Sequence, residues 1–194
     1  MNLLSKHCLD YQPYNDEVRI DNKPPEVTWE TCSLRKWLNY SFYNDSFSTE
    51  IKRLIIPTVL INSKPNDEYG TFGGNDTTDK LFLLSSDEVE KYLGTGFDPD
   101  SRRQGIMQSM FEEDKYYRAT WWLRSAGSDL RRACYVDEFC NPVRDSGDEV
   151  DLRHFIRPAM WIDCKELAKL NTIKPTVEKV PINVDIASQK SITV

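Results

Sequence analysis

Two arginines interrupt runs that are otherwise apolar. Arg124 closes Trp121-Trp122-Leu123-Arg124, and Arg157 stands in Phe155-Ile156-Arg157-Pro158-Ala159-Met160-Trp161. A guanidinium offers five donors in a planar fork, so in such a run it either receives an anion in a cleft or is held by a carboxylate or backbone carbonyls. The second, structural role is the expectation, because a charge inside an apolar strand needs fixed partners wherever it sits. Trp121 and Trp122 are adjacent, so a strand points them to opposite faces. One belongs to the core. The other is either covered by a helix or forms an aromatic platform for a sugar ring or a partner protein. Asp137, Glu138, Asp145, Asp148, Glu149 and Asp151 concentrate carboxylates that loops use to hold calcium. Their spacing does not match an EF-hand loop, and a solvated hairpin edge, whose charges discourage edge-to-edge pairing, explains them more simply. The candidate ligand-contacting residues are therefore Trp121, Trp122, Arg124, Arg157, Asp137 and Asp145. No catalytic residue, cofactor or metal ligand is assigned.

Other chemistry has thinner support. Cys134 and Cys140 form C-x5-C across a turn, but no second close Cys or His pair accompanies them, and His7 and His154 are isolated. The chain has no G-x-S-x-G, no P-loop and no G-x-G-x-x-G, and Gly73-Gly74 is too short to cradle a phosphate. Five scattered cysteines, an odd number in a chain able to build a core, read as reduced thiols.

Helices must come first along the chain. Leu34, Trp37, Leu38 and Phe42 fall on one face of a helix capped by Thr31 or Ser33. Ile51, Leu54 and Ile55 mark a second helix over residues 48–55, which Pro57 stops. A strand opens at Leu3-Leu4 and ends near the turn-like Tyr11–Asn15, residues 58–61 form a short buried strand, and residues 62–79 are turn formers in a long surface loop. Leu81–Leu84 reads as a strand leading into a third helix, where Ser85 and Glu88 have capping-box spacing and Gly94 is the C-cap. A helix is also expected around Gln104–Phe111. After Tyr117 the pattern changes to short strands, at 119–124, 133–136, 143, 150–152 and 155–162, with 119–124 beside 156–162. Helices followed by an antiparallel cluster imply an α+β fold, and Trp37, Leu38, Leu83, Leu123 and Trp161 are expected in one core.

Composition bounds the rest. At 194 residues the chain suits one domain, here taken as 1–164, with a Lys/Glu/Pro/Thr-containing extension over 165–194 in which Val177, Val180, Ile182, Val184 and Ile186 alternate weakly. A net charge of −6 argues against a non-specific nucleic-acid partner. No stretch is apolar enough to span a membrane, and the N-terminus lacks the pattern of a secretory signal. As written, the chain is expected to be cytoplasmic, or extracellular if it is cut from a larger surface protein.

Four ordered motifs carry a resemblance: Thr28-Trp29-Glu30-Thr31-Cys32-Ser33-Leu34-Arg35-Lys36-Trp37-Leu38-Asn39, Asp79-Lys80-Leu81-Phe82-Leu83-Leu84-Ser85, Trp121-Trp122-Leu123-Arg124-Ser125-Ala126-Gly127, and Ile156-Arg157-Pro158-Ala159-Met160-Trp161-Ile162. Over roughly residues 3–163 the chain resembles a bacterial domain family of unknown function, common in Firmicutes and gut bacteria. That family is distantly similar to C-type-lectin-like domains, in the branch that includes formylglycine-generating enzymes. The resemblance implies early helices packed on an antiparallel sheet made mainly of C-terminal strands, with a binding surface in loops near 125–132 and 137–151. It also implies, by analogy, a copper–thiolate reading of Cys134 and Cys140, whose spacing departs from that of the enzymes. No Glu-Pro-Asn or Gln-Pro-Asp triplet of calcium-dependent lectins is present. The leading expectation is a binding module for a protein or glycan without an obligatory metal. The competing ones are an enzyme of the formylglycine-generating type or an unrelated hydrolase, and a structural subunit of a surface or phage-like assembly.

Overall fold

The computed structural model describes residues 1–94, 103–108 and 116–172. The N-terminal segment forms two strands rather than one, β1 (Asn2–Leu4) and β2 (Asp10–Pro13). They belong to different sheets, because β1 pairs with the last strand and β2 with the one before it. Tyr14 and Asn15, in the segment read as a turn, are buried, and the Tyr14 hydroxyl donates to the Arg124 carbonyl.

The first helical stretch comprises α1 (Ser33–Trp37), a π-helical turn at Leu38–Phe42 and α2 (Tyr43–Ser46). Its N-cap is Cys32, one residue from either expected cap, with the thiol sulfur accepting from the Arg35 amide. α3 (Thr49–Leu54) is capped by Ser48, and α4 (Ser86–Leu93) carries the expected Ser85/Glu88 capping box. Strands β3 (Ile55–Ile56), β4 (Thr58–Leu60) and β5 (Thr77–Asp79) follow α3, so the last three residues of the polar loop are a strand paired with β4. Leu81–Leu84 is extended and fully buried but forms only an isolated bridge, Phe82 to Ala159.

The helix expected around Gln104–Phe111 is not formed. Gly105–Gln108 is strand β6, antiparallel to β7 (Tyr116–Ala119), and residues 109–111 lie outside the described residues. The tertiary reason is visible at Gly105, where an added Cβ would meet the Ala119 carbonyl and the Trp121 ring, so the backbones are in close contact there.

Next come β8 (Trp121–Ala126), β9 (Arg132–Val136), β10 (Pro142–Glu149), β11 (Arg153–Ile156) and β12 (Ala159–Ile162), then α5 (Cys164–Thr172). Residues 150–152, expected as a strand, make the turn between β10 and β11. The main sheet has the order β10-β9-β8-β11-β2, and the smaller one β1-β12-β3. β8 therefore lies beside β11, in parallel, and not beside the whole of 156–162. Arg157-Pro158 turns the chain out of one sheet and β12 enters the other. Between β9 and β10 the register shifts at Val143/Asp148, where Gly147 (φ 66°) brings its backbone against the Ala133 carbonyl.

The architecture is α+β, with mixed helices and mainly antiparallel sheets. Leu38, Leu83 and Leu123 are fully buried in one core, and Trp37 and Trp161 pack against it. No helix among the described residues is long and apolar enough to cross a membrane.

Candidate functional cleft

The four motifs fasten the fold to itself. Asp79, almost fully buried, accepts from the Trp29 indole (2.9 Å), the Arg35 guanidinium (2.8 Å) and the Thr77 hydroxyl (2.8 Å). Asn39 accepts from the amides of Lys80 and Leu81 and donates to the Leu81 carbonyl, locking the first helical stretch onto the second motif. The sequence marked Asp79 as part of a motif but gave no sign of this carboxylate's three partners, which come from 2, 44 and 50 residues away.

Arg124 is buried and serves as a junction. Its Nε donates to Asn62 Oδ1 (3.1 Å), Nη1 donates to the Leu83 carbonyl (3.0 Å), and both terminal nitrogens meet the Glu88 carboxylate. Glu88 simultaneously accepts from the Ser85 amide (2.9 Å) as the second half of the capping box. The charged fork is thus held inside the structure, as expected of it, and yet it lies at the edge of a cavity of about 510 Å³.

That cavity runs between the segment 59–73 and α4, with Ser125, Ala126 and Arg144 closing one side. Its loop wall is built rather than slack. Asn66 donates to the carbonyls of Ala126 (3.0 Å) and Arg144 (2.9 Å) while accepting from the amides of Glu68 and Tyr69. Thr71 donates to the Ser128 carbonyl (2.8 Å). Asp76 accepts from the amides of Asn62 and Ser63, and those bonds lower its carboxyl pKa. Opposite, Arg144 reaches Asp87 (2.7 Å) and Glu90, and Lys64 reaches Asp87 (2.8 Å). The Lys64 hydrogen bond is the largest influence holding Asp87 below the usual carboxylate range, with Arg144 adding to it. Ser86 is buried in the lining, its amide donates to Ser125 Oγ (3.0 Å), and its own hydroxyl finds no partner among the described residues. Lys91 lies over the half-buried ring of Tyr92 at 5.1 Å.

The other sequence candidates fall elsewhere. Trp121 and Trp122 are both fully buried, so neither ring is available as a platform. The reason is position: β8 is the central strand of five and is covered on both faces. Trp121 donates to the Arg103 carbonyl (2.9 Å) with the Arg157 guanidinium 4.8 Å over its ring. Trp122 donates to the Gln12 carbonyl (3.0 Å) and packs against Tyr14, Tyr135 and His154. Arg157 is also buried and donates to the carbonyls of Ser5, Arg103 and Gln104. Asp137 is occupied by its own turn, accepting from the amides of Phe139 (2.9 Å) and Asn141 (2.7 Å). Asp145 lies in β10, and its side chain is outside the described residues. The acidic stretch divides among protein partners: Asp148 faces His154, while Glu149 and Asp151 hold Arg19. Among the described residues no three His, Cys, Asp or Glu side chains gather to hold a metal ion.

Three of the five thiols, Cys8, Cys32 and Cys140, are shifted away from the thiolate. Burial raises Cys32 to about 12 and Cys8 to about 11, and it raises Cys140 as well. A reactive thiolate needs the opposite shift. His154 lies 2.7 Å from Thr120 Oγ1 through Nδ1 and 3.1 Å from Asp148 through Nε2.

No curated protein and no solved structure matches the chain. One family does match, over residues 2–164 and hence all but the C-terminal part: the chain belongs to DUF6273, a family of domains of unknown function.

Proposed function

We propose that this domain is a recognition module, distantly related to C-type-lectin-like domains, that holds a short polar ligand in the cleft between segment 59–73 and α4. The ligand is a glycan or a segment of a protein chain. Kinship to the lectin-like fold is supported by the main sheet, four of whose five strands lie between residues 121 and 156, with the helices ahead of them. A step from fold to function is analogy, so the cleft must carry the reading.

The single observation that does so is preorganisation. The cleft's volume falls within the range of small-ligand sites, and its arginines are fixed by carboxylates before any ligand arrives. Fixed donors and acceptors lose little entropy on binding. They also alternate in sign, which suits hydroxyl and amide groups better than a bare ion. The raised thiol pKa values supply no support for the alternative of cysteine-centred catalysis.

A glycan and peptide array probed with the whole chain tests this. The expected result is a ligand whose affinity falls about tenfold, ~1.4 kcal/mol, in Tyr92→Ala or Lys91→Glu, with an unchanged melting temperature in Lys91→Glu, whose side chain is exposed, and some loss in Tyr92→Ala, whose ring packs against the core. A ligand insensitive to both substitutions would overturn the placement in the cleft.

A further inference from the structure

One wall of the proposed cleft is a strand with an unpaired edge. Among the described residues β4 has a single strand neighbour, β5, through the pairs Thr58↔Asp79, Val59↔Thr78 and Leu60↔Thr77. In an antiparallel ladder, opposed residues alternate between pairs that exchange both backbone bonds and pairs that exchange neither. A proline decides which are which. Were Thr58↔Asp79 an unbonded pair, the bond before it would need an amide from residue 57, and Pro57 has none. Thr58 and Leu60 therefore bond β5, and the amide and carbonyl of Val59 point to the opposite edge. Alternation sends those of Ile61 the same way, while the Asn62 amide turns back to Asp76 on the β5 side (2.9 Å). Neither Val59 nor Ile61 bonds anything across the outer edge among the described residues. Both line the cavity, and they are 63% and 59% exposed.

The lining also holds hydroxyls with unspent bonding capacity. Ser86 is only 7% exposed, yet its Oγ, one donor and two acceptor positions, finds no partner among the described residues. Ser125 accepts from the Ser86 amide (3.0 Å), and its own proton goes to no acceptor among the described residues. An occupant should answer both features. The β4 edge repeats a main-chain donor and acceptor at Val59 and Ile61, about 7 Å apart, which is the two-residue repeat of a strand. Another extended chain repeats its own donors and acceptors at that spacing. The hydroxyls of a glycan ring do not.

We infer that an extended segment of a partner protein adds to the outer edge of β4 as a strand, with alternate apolar side chains beside Val59 and Ile61 and an intervening hydroxyl or amide side chain at Ser86. The inference rests on the cleft being the binding site, and it assigns the ligand as peptide rather than glycan. In strand addition, main-chain bonds give affinity and alternate side chains give selectivity. The edge is short and borders a cleft walled by α4 and residues 64–73. A slender chain suits it better than a second copy, whose own edge stands behind the same walls. Pro57 confines the pairing to the part of the edge that follows it, which discourages open-ended sheet growth.

The probes are synthetic peptides of about ten residues in which Val or Ile alternates with Thr or Asn, titrated with the whole chain by fluorescence anisotropy. Scrambled peptides of the same composition are the control. The expected result is saturable binding that scrambling weakens by at least about tenfold. N-methylating the peptide amides one at a time should abolish binding with a period of two, because only alternate amides face β4. That scan uses the unaltered chain, so it decides the matter whatever a variant's stability. Val59→Pro deletes the outward amide without touching a bond to β5, so it should melt near wild type and bind at least about tenfold more weakly. Val59→Ala keeps the amide and should fall between the two. Three outcomes would overturn strand addition: no saturable binding by any of the peptides, an N-methyl scan without alternation, or full binding by Val59→Pro. A dimer of the whole chain that Val59→Pro dissolves would also overturn it, by giving the edge to a second copy. Glycan binding that Lys91→Glu weakens and Val59→Pro leaves intact would overturn it while the cleft reading stands. Peptide binding sensitive to Val59→Pro but to neither Lys91→Glu nor Tyr92→Ala would do the reverse.

Discussion

Arg124 and Arg157 occupy comparable positions in the chain, each inside an apolar strand context and each almost excluded from solvent, but among the described residues they meet different partners. Arg124 meets a carboxylate, an amide side chain and a carbonyl, so its charge is cancelled where it is buried. Arg157 meets carbonyls and an indole face, and burial lowers its pKa to about 10, with Cys8 and Cys140 the weaker opposing influences. Around the first lies a cleft in which charges alternate. Beside the second lies a cavity whose described lining includes Lys6, His7 and Arg118. A buried arginine is therefore not one kind of feature: the atoms that receive its fork decide which segments it ties together.

The largest effect expected from this contrast is on stability. Arg124→Met would strand Glu88, whose side chain is only 22% exposed, together with Asn62 Oδ1 and the Leu83 carbonyl. Removing one partner of a buried ion pair costs about 3–5 kcal/mol. Glu88→Gln in the same background should recover part of that loss, because the orphaned charge is gone. Among the described residues, Arg157→Met removes donors from three carbonyls and a cation from an indole, with a smaller expected cost of about 1–3 kcal/mol. Urea unfolding of the two variants measures both. Equal losses would erase the distinction.

Much of this frame was legible in the sequence, and the failures share a cause. The helical faces, the capping box at Ser85 and the structural role of both arginines follow from periodicity and from the cost of burying an unpaired charge. What could not be read was long-range pairing. The β6–β7 hairpin replaced an expected helix because tertiary contact at Gly105 outweighs a weak local pattern. Trp121 and Trp122 do alternate in direction, but a central strand is covered on both sides, which no local pattern reveals. The cleft was missed for the same reason. Residues 62–73 read as surface loop, and only their bonds to Ala126, Ser128 and Arg144, more than 50 residues away, make them a wall.

A smaller effect should appear with pH, at a third buried cation-former. His154 is pushed below the ordinary imidazole pKa because burial opposes its charge more than Asp148 favours it. Its other described contacts, Thr120, Trp122 and Tyr135, bring no charge. The unfolded chain thus takes up a proton near pH 6.5 that the native state resists. Stability from this group is present above that value and is lost as pH falls below it, toward the folded pKa. His7 contributes with the same sign. His154→Gln should flatten the slope of unfolding free energy between about pH 7 and 5, leaving only the His7 share within that histidine window. A slope equal to wild type would mean that His154 is accessible to protons in the folded state.

The smallest effect sharpens the description of the cleft. Lys64 bridges Asp67 and Asp87, yet all three side chains are more than half exposed. Exposed ion pairs contribute little, because water already solvates both charges and ordering long side chains costs entropy. Screening weakens them further, with a Debye length of about 8 Å at physiological ionic strength. Lys64→Ala should therefore leave the melting temperature within error of wild type at that ionic strength, and show at most a slight loss in low salt. The loop wall does not depend on this bridge, since Asn66 and Thr71 attach it through bonds to backbone carbonyls. A clear destabilisation in high salt would mean that Lys64 is the clasp of the wall rather than an ornament at its rim. The cleft would then be a structure that opens with charge, instead of one whose polar groups are fixed before a ligand arrives.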